Sequence, residues 1–474
     1  MKNIYGSLLC AGFIFLVIIG CAQSSSKDKS ESNYQVTIVR TTLDQTKLLE
    51  EKNQVIADAA ADELPLIQIN PDSTYQEIDG FGYTLTGGSA MHLASMNPKA
   101  RHEVLKELFS PEGNGIGVSY LRLSIGASDL DQAPFSYHDV EKGAEDLQLK
   151  QFDLGYDKKY LIPVLQEIIS IYPAVKILGS PWSPPSWMKS NQDTRGGSLL
   201  PQYYQTYAHY LVKYVKAMEN NGIPIDAITV QNEPLHPGNN PSLFMPATAQ
   251  AEFIKSYLGP AFRNAALKTK IIIYDHNADR PDYPISILND SVANQYIDGS
   301  AFHLYGGEIE ALSEVHKAHP DKNLYFTEQW IGAPGDFPNN LSWHTRELII
   351  GATRNWSRTV LEWNLAADEN QDPHTDRGGC DRCLGAITVK GNKIERNPAY
   401  YIIGHASKYV RPGSKRIKSN KIEGVPNVAF KTPKGQTVVI LLNDQEKAQK
   451  VALQQNEKHL SVELSAGEVM TIVI

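Results

Sequence analysis

The chain has 474 residues, 42% hydrophobic and 21% charged, with a formal net charge of −8. That is apolar material for one large domain plus a smaller one, or for two to three average domains. The acidic balance, with no long basic run, argues against a nucleic-acid partner and against a polybasic membrane patch.

Residues 1–20 read as an export signal. Lys2 supplies the positive start and Leu8 to Ile19 the apolar stretch, too short and too early for a structural membrane span. The stretch ends Ile18-Ile19-Gly20-Cys21, which resembles the bacterial lipoprotein box, whose cysteine becomes the acylated N-terminus. The other reading is a plain signal peptide with an incidental cysteine. Residues 21–33 are polar and of low complexity, as a flexible tether is. The expectation is an exported protein, anchored by lipid at Cys21 to a bacterial membrane, periplasmic or at the cell surface.

Val36–Thr42 and Pro65–Ile69 look like short strands. Eight apolar runs follow, each closed by polar or aromatic residues: Gly80–Thr84, Val118–Ser124, Val175–Ser180, Ala227–Gln231, Lys270–Tyr274, Ser300–Leu304, Leu324–Thr327 and Arg358–Trp363. The stretches between them hold helical periodicity, as in Tyr203 to Met218, where Tyr207, Leu211, Tyr214 and Val215 share a face. Strand and helix alternating eight times predicts a (β/α)₈ barrel. Tyr400 to Val410 would close it, ended by Arg411-Pro412-Gly413. Beyond lie β-rich runs at Val425–Lys431, Thr437–Leu442, His459–Leu464 and Val469–Ile474. The predicted architecture is α/β: a catalytic barrel over 76–411, and a β-sandwich built from both chain ends, 34–75 plus 412–474.

The chemistry gathers where the strands end. Ile228-Thr229-Val230-Gln231-Asn232-Glu233-Pro234 is a buried strand stopped by an amide, a carboxylate and a proline that cannot continue a ladder. Leu324-Tyr325-Phe326-Thr327-Glu328-Gln329-Trp330 also climbs to a glutamate. One acidic residue alone would be a solvated strand end. Two on one rim can flank a glycosidic bond, one protonating the leaving oxygen, the other attacking the anomeric carbon or activating water. Other tips add Arg122, Asp129, Trp182, His303, Tyr305 and Trp363. Singly, a tryptophan is more often core than platform, and Arg122 could only neutralise a glutamate. Together they give the aromatic faces and short polar groups that a sugar needs.

Metal chemistry finds little support. There is no His-Glu-x-x-His, no strand offers two histidines at ligand spacing, and Asp275-His276-Asn277-Ala278-Asp279 lacks the EF-hand pattern. No metal and no cofactor are expected. Cys380 and Cys383 form Gly-Gly-Cys-Asp-Arg-Cys, half a zinc site at most; in an exported chain a local disulfide or two free thiols remain.

Asp79-Gly80-Phe81-Gly82, Arg122 with Asp129, Ser180-Pro181-Trp182, Asn232-Glu233-Pro234, His303-x-Tyr305, Thr327-Glu328 and Trp363-Asn364-Leu365-Ala366 resemble, in order, the motifs of glycoside hydrolase family 30. That family includes glucosylceramidases and β-1,6-glucanases, on a (β/α)₈ barrel with a β-sandwich. The resemblance implies a retaining mechanism with Glu233 as acid/base and Glu328 as nucleophile. It implies that Asn232 bonds the 2-hydroxyl, that Asp129 and Trp182 grip the far hydroxyls, and that Trp363 walls the sugar subsite. Arg122, His303 and Tyr305 would orient and tune the nucleophile. As an acid near neutral pH, Glu233 should have a raised pKa.

Two departures from the glucosylceramidase pattern, Trp330 after the nucleophile and the Cys380/Cys383 loop, favour an oligosaccharide over a ceramide aglycone. The expected substrate is a β-glucan or β-glucoside, foremost β-1,6-glucan. The rivals are glucosylceramide, which would mean sphingolipid metabolism, an exo-β-glucosidase or β-xylosidase activity, and a glycan-binding lipoprotein without turnover.

Overall fold

The computed structural model describes residues 33–57 and 64–474; the expected export signal, Cys21 and the expected tether up to residue 32 lie outside the described residues. Three strands come first, β1 (Asn33–Thr41), β2 (Glu50–Ala57) and β3 (Leu66–Glu77). The barrel strands are β4 (Gly80–Thr84), β5 (Tyr120–Ser124), β6 (Lys176–Ser180), β7 (Ala227–Thr229), β8 (Lys270–Ala278), β9 (Ile297–Gly307) and β10 (Asn323–Glu328). After a two-residue β11 (Ile331–Gly332), β12 (Ser357–Glu362) completes the ring. It closes through parallel pairings alone, β12 meeting β4 on one side and β10 on the other. Each of the eight apolar runs in the sequence is a barrel strand.

The inside of the barrel is layered by the two-residue period of a strand. Tyr120, Leu178, Ala227, Ile272, Ala301, Tyr325 and Leu361 form one apolar layer. Two residues further along their strands come Arg122, Ser180, Thr229, His303 and Thr327, all fully buried. The apolar layer is thus a floor, and the polar layer above it lies toward the carboxyl ends of the strands.

β8 breaks the alternation. Its register against β9 shifts between Tyr274 and His276, and Tyr274 and Asp275 take positive φ values of 72° and 63°. Strict alternation from Ile272 would aim Tyr274 inward. Instead Tyr274 packs outward on Tyr283 and Phe302, with ring centroids at 4.9 and 5.5 Å. Asp275 turns into the barrel. A bulge beside a functional site re-aims a side chain in this way.

β13 (Ala366–Ala367), β14 (Cys383–Leu384), β15 (Ile387–Lys390) and β16 (Lys393–Arg396) line the return from β12; β14 pairs with β11. The closing helix is Pro398–Ser407, started by proline where no amide hydrogen is needed. Then come β17 (Lys415–Ser419), β18 (Asn427–Lys431), β19 (Thr437–Leu442), β20 (Gln449–Gln455), β21 (Lys458–Leu464) and β22 (Val469–Val473).

These strands join the first three in one sheet, ordered β2-β1-β22-β19-β18-β17-β3-β20-β21. β3 is the corner. Its first residues pair with β20 and its later ones with β17, so the sheet folds over itself. Val36, Ile38, Val439 and Ile472 from one part then share a core with Ile67, Leu453 and Val462 from the other. The β3–β20 pairing is parallel, whereas the other pairings of this sheet are antiparallel. His405 of the closing helix ties the sandwich to the barrel, bonding Thr471 Oγ1 and Thr41 Oγ1 at 2.9 Å each.

Candidate active site

The polar layer is built around Asp275. Its Oδ2 accepts from Arg122 Nη2 at 2.9 Å, Ser180 Oγ at 2.6 Å and Thr229 Oγ1 at 2.7 Å. Its Oδ1 accepts from Thr327 Oγ1 at 2.6 Å and faces His303 Nε2 at 3.1 Å. Burial alone would push the carboxyl up, but Arg122 and His303 outweigh it and hold Asp275 well below the usual carboxylate range. The sequence reading missed this residue, having considered its stretch only as a cation loop. No alternation rule would find it, because the bulge at Tyr274 decides which way it points.

Arg122 distributes that charge upward. Besides Asp275 it donates through Nη1 to Glu328 Oε2 at 2.5 Å and through Nη2 to Asn232 Oδ1 at 2.6 Å. The second bond fixes the Asn232 amide, leaving its NH₂ group for another partner. Tyr305 donates its hydroxyl to Glu328 Oε1 at 3.0 Å. Glu328 is therefore held from two sides by hydrogen-bond donors.

His303 stands between the two glutamates. Its Nδ1 is 3.3 Å from Glu233 Oε1 and 3.8 Å from Glu328 Oε1. Burial works against its cation, but Glu328, Asp275 and Glu233 together push its pKa up to about 9. Glu233 differs from expectation. Burial raises its carboxyl, yet His276 and His303 outweigh that and hold it well below the usual range. The site carboxyl pushed up is Asp129, to about 8, by burial and then by the charges of Glu328 and Glu233.

Above this layer opens a cleft of about 270 Å³. Of the residues expected at the site, Asp129, Glu233, Glu328, Tyr305, Trp330 and Trp363 line it. Arg122, Asn232 and His303 lie beneath. Trp182 does not line the cleft; it is 1% exposed, stacked on Trp363 at 5.4 Å and under Arg122 at 4.7 Å, with its indole N–H unpartnered. Cys380 and Cys383 are joined by a disulfide, and both line the same cleft.

His236, Asn239, His276 and Asn277 also line it, and the sequence reading named none of them as site residues. Asn239 Nδ2 reaches Glu233 Oε2 at 3.4 Å from the loop after Pro234. Larger cavities exist, one of about 610 Å³ beside Glu107 and Tyr409, but there Arg396 already pairs with Glu107 and Lys408 with Glu51. The cleft also brings together Glu233, His276 and His303, three residues that could hold a metal ion. The two histidines come from neighbouring strands, β8 and β9, so no spacing within one strand reveals them.

A family model described as the glycosyl hydrolase family 30 TIM-barrel domain matches residues 78–410, and its beta sandwich domain matches 413–472. An endo-1,6-beta-D-glucanase of Aspergillus fumigatus is 33% identical over 393 residues, covering 78% of each chain. The lysosomal acid glucosylceramidase of Mus musculus is 27% identical over 406 residues, covering 80% of this chain and 77% of its own. A solved endo-beta1,6-glucanase superimposes with a TM-score of 0.86 at 35% identity, over 93% of this chain and 99% of that one.

Removing the charge at Asp275 leaves a buried guanidinium short of its partner. Asp275→Asn is expected to lose about 3–5 kcal/mol of stability, read from the urea midpoint at constant slope. A loss below 1 kcal/mol would contradict the central place given to this residue. Stability should also fall between pH 6 and 9. His303 is raised from 6.5 to about 9, so its contribution is full below 6.5 and lost as pH rises through 9. Asp129 and Asp157, each raised from 3.8 to about 8, lose theirs over a window that overlaps from below. Asp131, raised from 3.8 to about 7, adds to the lower part of the fall, and Lys189, pushed down by burial to about 7, acts the other way, one group against four. Melting temperature against pH checks this, and His303→Asn should flatten the upper part of the fall.

Proposed function

The chain belongs to glycosyl hydrolase family 30 and is a glycosidase, and from that membership we propose that it is a retaining endo-β-1,6-glucanase with Glu233 as acid/base and Glu328 as nucleophile. One observation carries the mechanism: Glu233 and Glu328 share His303 Nδ1, at 3.3 and 3.8 Å. Their oxygens cannot be farther apart than those two distances laid end to end, and any bend at the nitrogen brings them closer. A retaining pair needs about 5–5.5 Å, whereas an inverting gap of about 6.5–9.5 Å would spread the oxygens to opposite sides of that nitrogen.

The roles follow from the partners. Glu328, clamped by Arg122 and Tyr305, attacks the anomeric carbon. Glu233 must deliver a proton to the leaving oxygen, and the proton is stored next to it. His303 and Glu233 titrate as one hydrogen-bonded pair, so the proton on Nδ1 can pass to Oε1 as the glycosidic bond breaks. In the second step Glu233 takes a proton from water, and the pair is restored. Asn232, its carbonyl fixed by Arg122, offers its NH₂ to the sugar's 2-hydroxyl. Asp129 and Trp363 meet the sugar's remaining faces.

The linkage reading rests on the two relatives named as endo-1,6-glucanases, at 33% and 35% identity. Trp330 and the Cys380–Cys383 disulfide, the two departures from the glucosylceramidase pattern, both line the cleft and support an oligosaccharide over a ceramide aglycone. A second reading, glucosylceramide hydrolysis, is favoured by relatives named glucosylceramidase or putative glucosylceramidase, at 27% to 30% identity. We place the enzyme outside the cell membrane, held by lipid at Cys21.

Incubation with soluble β-1,6-glucan should release a ladder of gluco-oligosaccharides, followed by chromatography; glucose alone would contradict endo action, and no release would contradict the substrate. Glu233→Gln is expected to lower kcat on the glucan on the order of 10²–10⁴-fold. An aryl glucoside whose leaving group needs no proton should be affected less in its first step. Equal losses on both would refute the role of Glu233 as acid.

A further inference from the structure

We propose that Glu233, His276 and His303 form an inhibitory binding site for a divalent cation of the zinc class, at the heart of the catalytic cleft. One donor atom from each of these buried side chains lies within 4.8 Å of the other two. Glu233 Oε1 is 3.3 Å from His303 Nδ1 and 3.7 Å from His276 Nδ1. Donors bound at about 2.0–2.1 Å to one tetrahedral ion lie roughly 3.3 Å apart. The two edges that meet at Glu233 are therefore close to the span of a bound ion.

Two further features point to a ligand. His276 is 6% exposed, and its Nδ1 is buried without a hydrogen bond, although it borders the cleft. A buried ring nitrogen that makes no hydrogen bond costs free energy unless something meets it, and Glu233 Oε1 at 3.7 Å is beyond hydrogen-bond reach. His303 is braced from behind by Asp275 Oδ1 at 3.1 Å from Nε2. A carboxylate behind an imidazole is the support that orients metal-binding histidines and makes them more basic. The bulge that turns Asp275 inward thus supports both this site and Arg122.

Two imidazoles and one carboxylate suit zinc, nickel or copper and not magnesium or calcium, which prefer oxygen alone. The negative charge of Glu328, 3.8 Å from His303 Nδ1, adds attraction. Three protein ligands leave a fourth position for water. The ion occupies the oxygen of Glu233 that faces His303, so it blocks proton delivery to the leaving group. It is an inhibitor, not a cofactor, and makes the enzyme sensitive to free zinc outside the cell.

The test is direct binding of zinc to the EDTA-stripped full chain, at fixed neutral pH, in competition with a chromogenic chelator. One equivalent should bind the wild type. His276→Asn should weaken it by at least the roughly 10–100-fold seen when an outer-shell partner is lost, with folding checked by circular dichroism. His236→Ala, on the rim of the cleft, should keep the wild-type affinity. Failure of the wild type to bind one equivalent overturns the proposal, as does wild-type affinity in His276→Asn. Affinity lost in His236→Ala but kept in His276→Asn would place the ion elsewhere and overturn it too. Because binding is read without turnover, the outcome stands whether or not β-1,6-glucan proves to be the substrate.

Discussion

Five donors from five strands converge on one buried carboxylate, Asp275, and the rest of the site is arranged by that convergence. A guanidinium fully buried in a barrel is expensive unless its charge is met and its hydrogen bonds are satisfied. Asp275 meets it, and Arg122 then has donors left for Glu328 and Asn232. Two groups that touch the sugar in the proposed mechanism are thus positioned by an ion pair that does not. The same carboxylate braces His303, which couples the two glutamates.

That coupling changes how the acid works. A glutamate with a raised pKa keeps its own proton near neutral pH, and a raised pKa is the sequence-based expectation for Glu233. Here two histidines stabilise its anion, and the raised groups are His303 and Asp129. The proton belongs to the pair of His303 and Glu233, and assigning it to either alone misses the physics of groups that interact this strongly. A site that keeps its proton on a neighbour needs the approaching glycosidic oxygen to draw it across.

The barrel was readable in the sequence because each strand is a short apolar run that ends in polar residues. The two glutamates were readable because they sit at such ends, and Arg122, His303 and Thr327 follow from two-residue alternation. Asp275 was not, since a bulge and two positive φ angles reverse the facing of Tyr274 and its neighbour. His236, Asn239 and the disulfide reach the cleft from loops, where no periodicity says which way a side chain points. In the sandwich, β2, β17 and β20 escaped notice because each has at most three consecutive apolar residues beside polar or charged ones, as in Lys415-Arg416-Ile417-Lys418. The parallel β3–β20 pairing depends on β3 turning a corner, which only the folded sheet reveals.

Glu328, held in place by Arg122 and Tyr305, is predicted to form a covalent bond to the sugar. A 2-deoxy-2-fluoro-β-glucoside with a good leaving group slows the second step and lets that bond accumulate. Digestion and mass spectrometry should then find one fluoroglucosyl group per chain, on the peptide that contains Glu328. An adduct on another residue, or turnover with no adduct under any condition, would contradict the account.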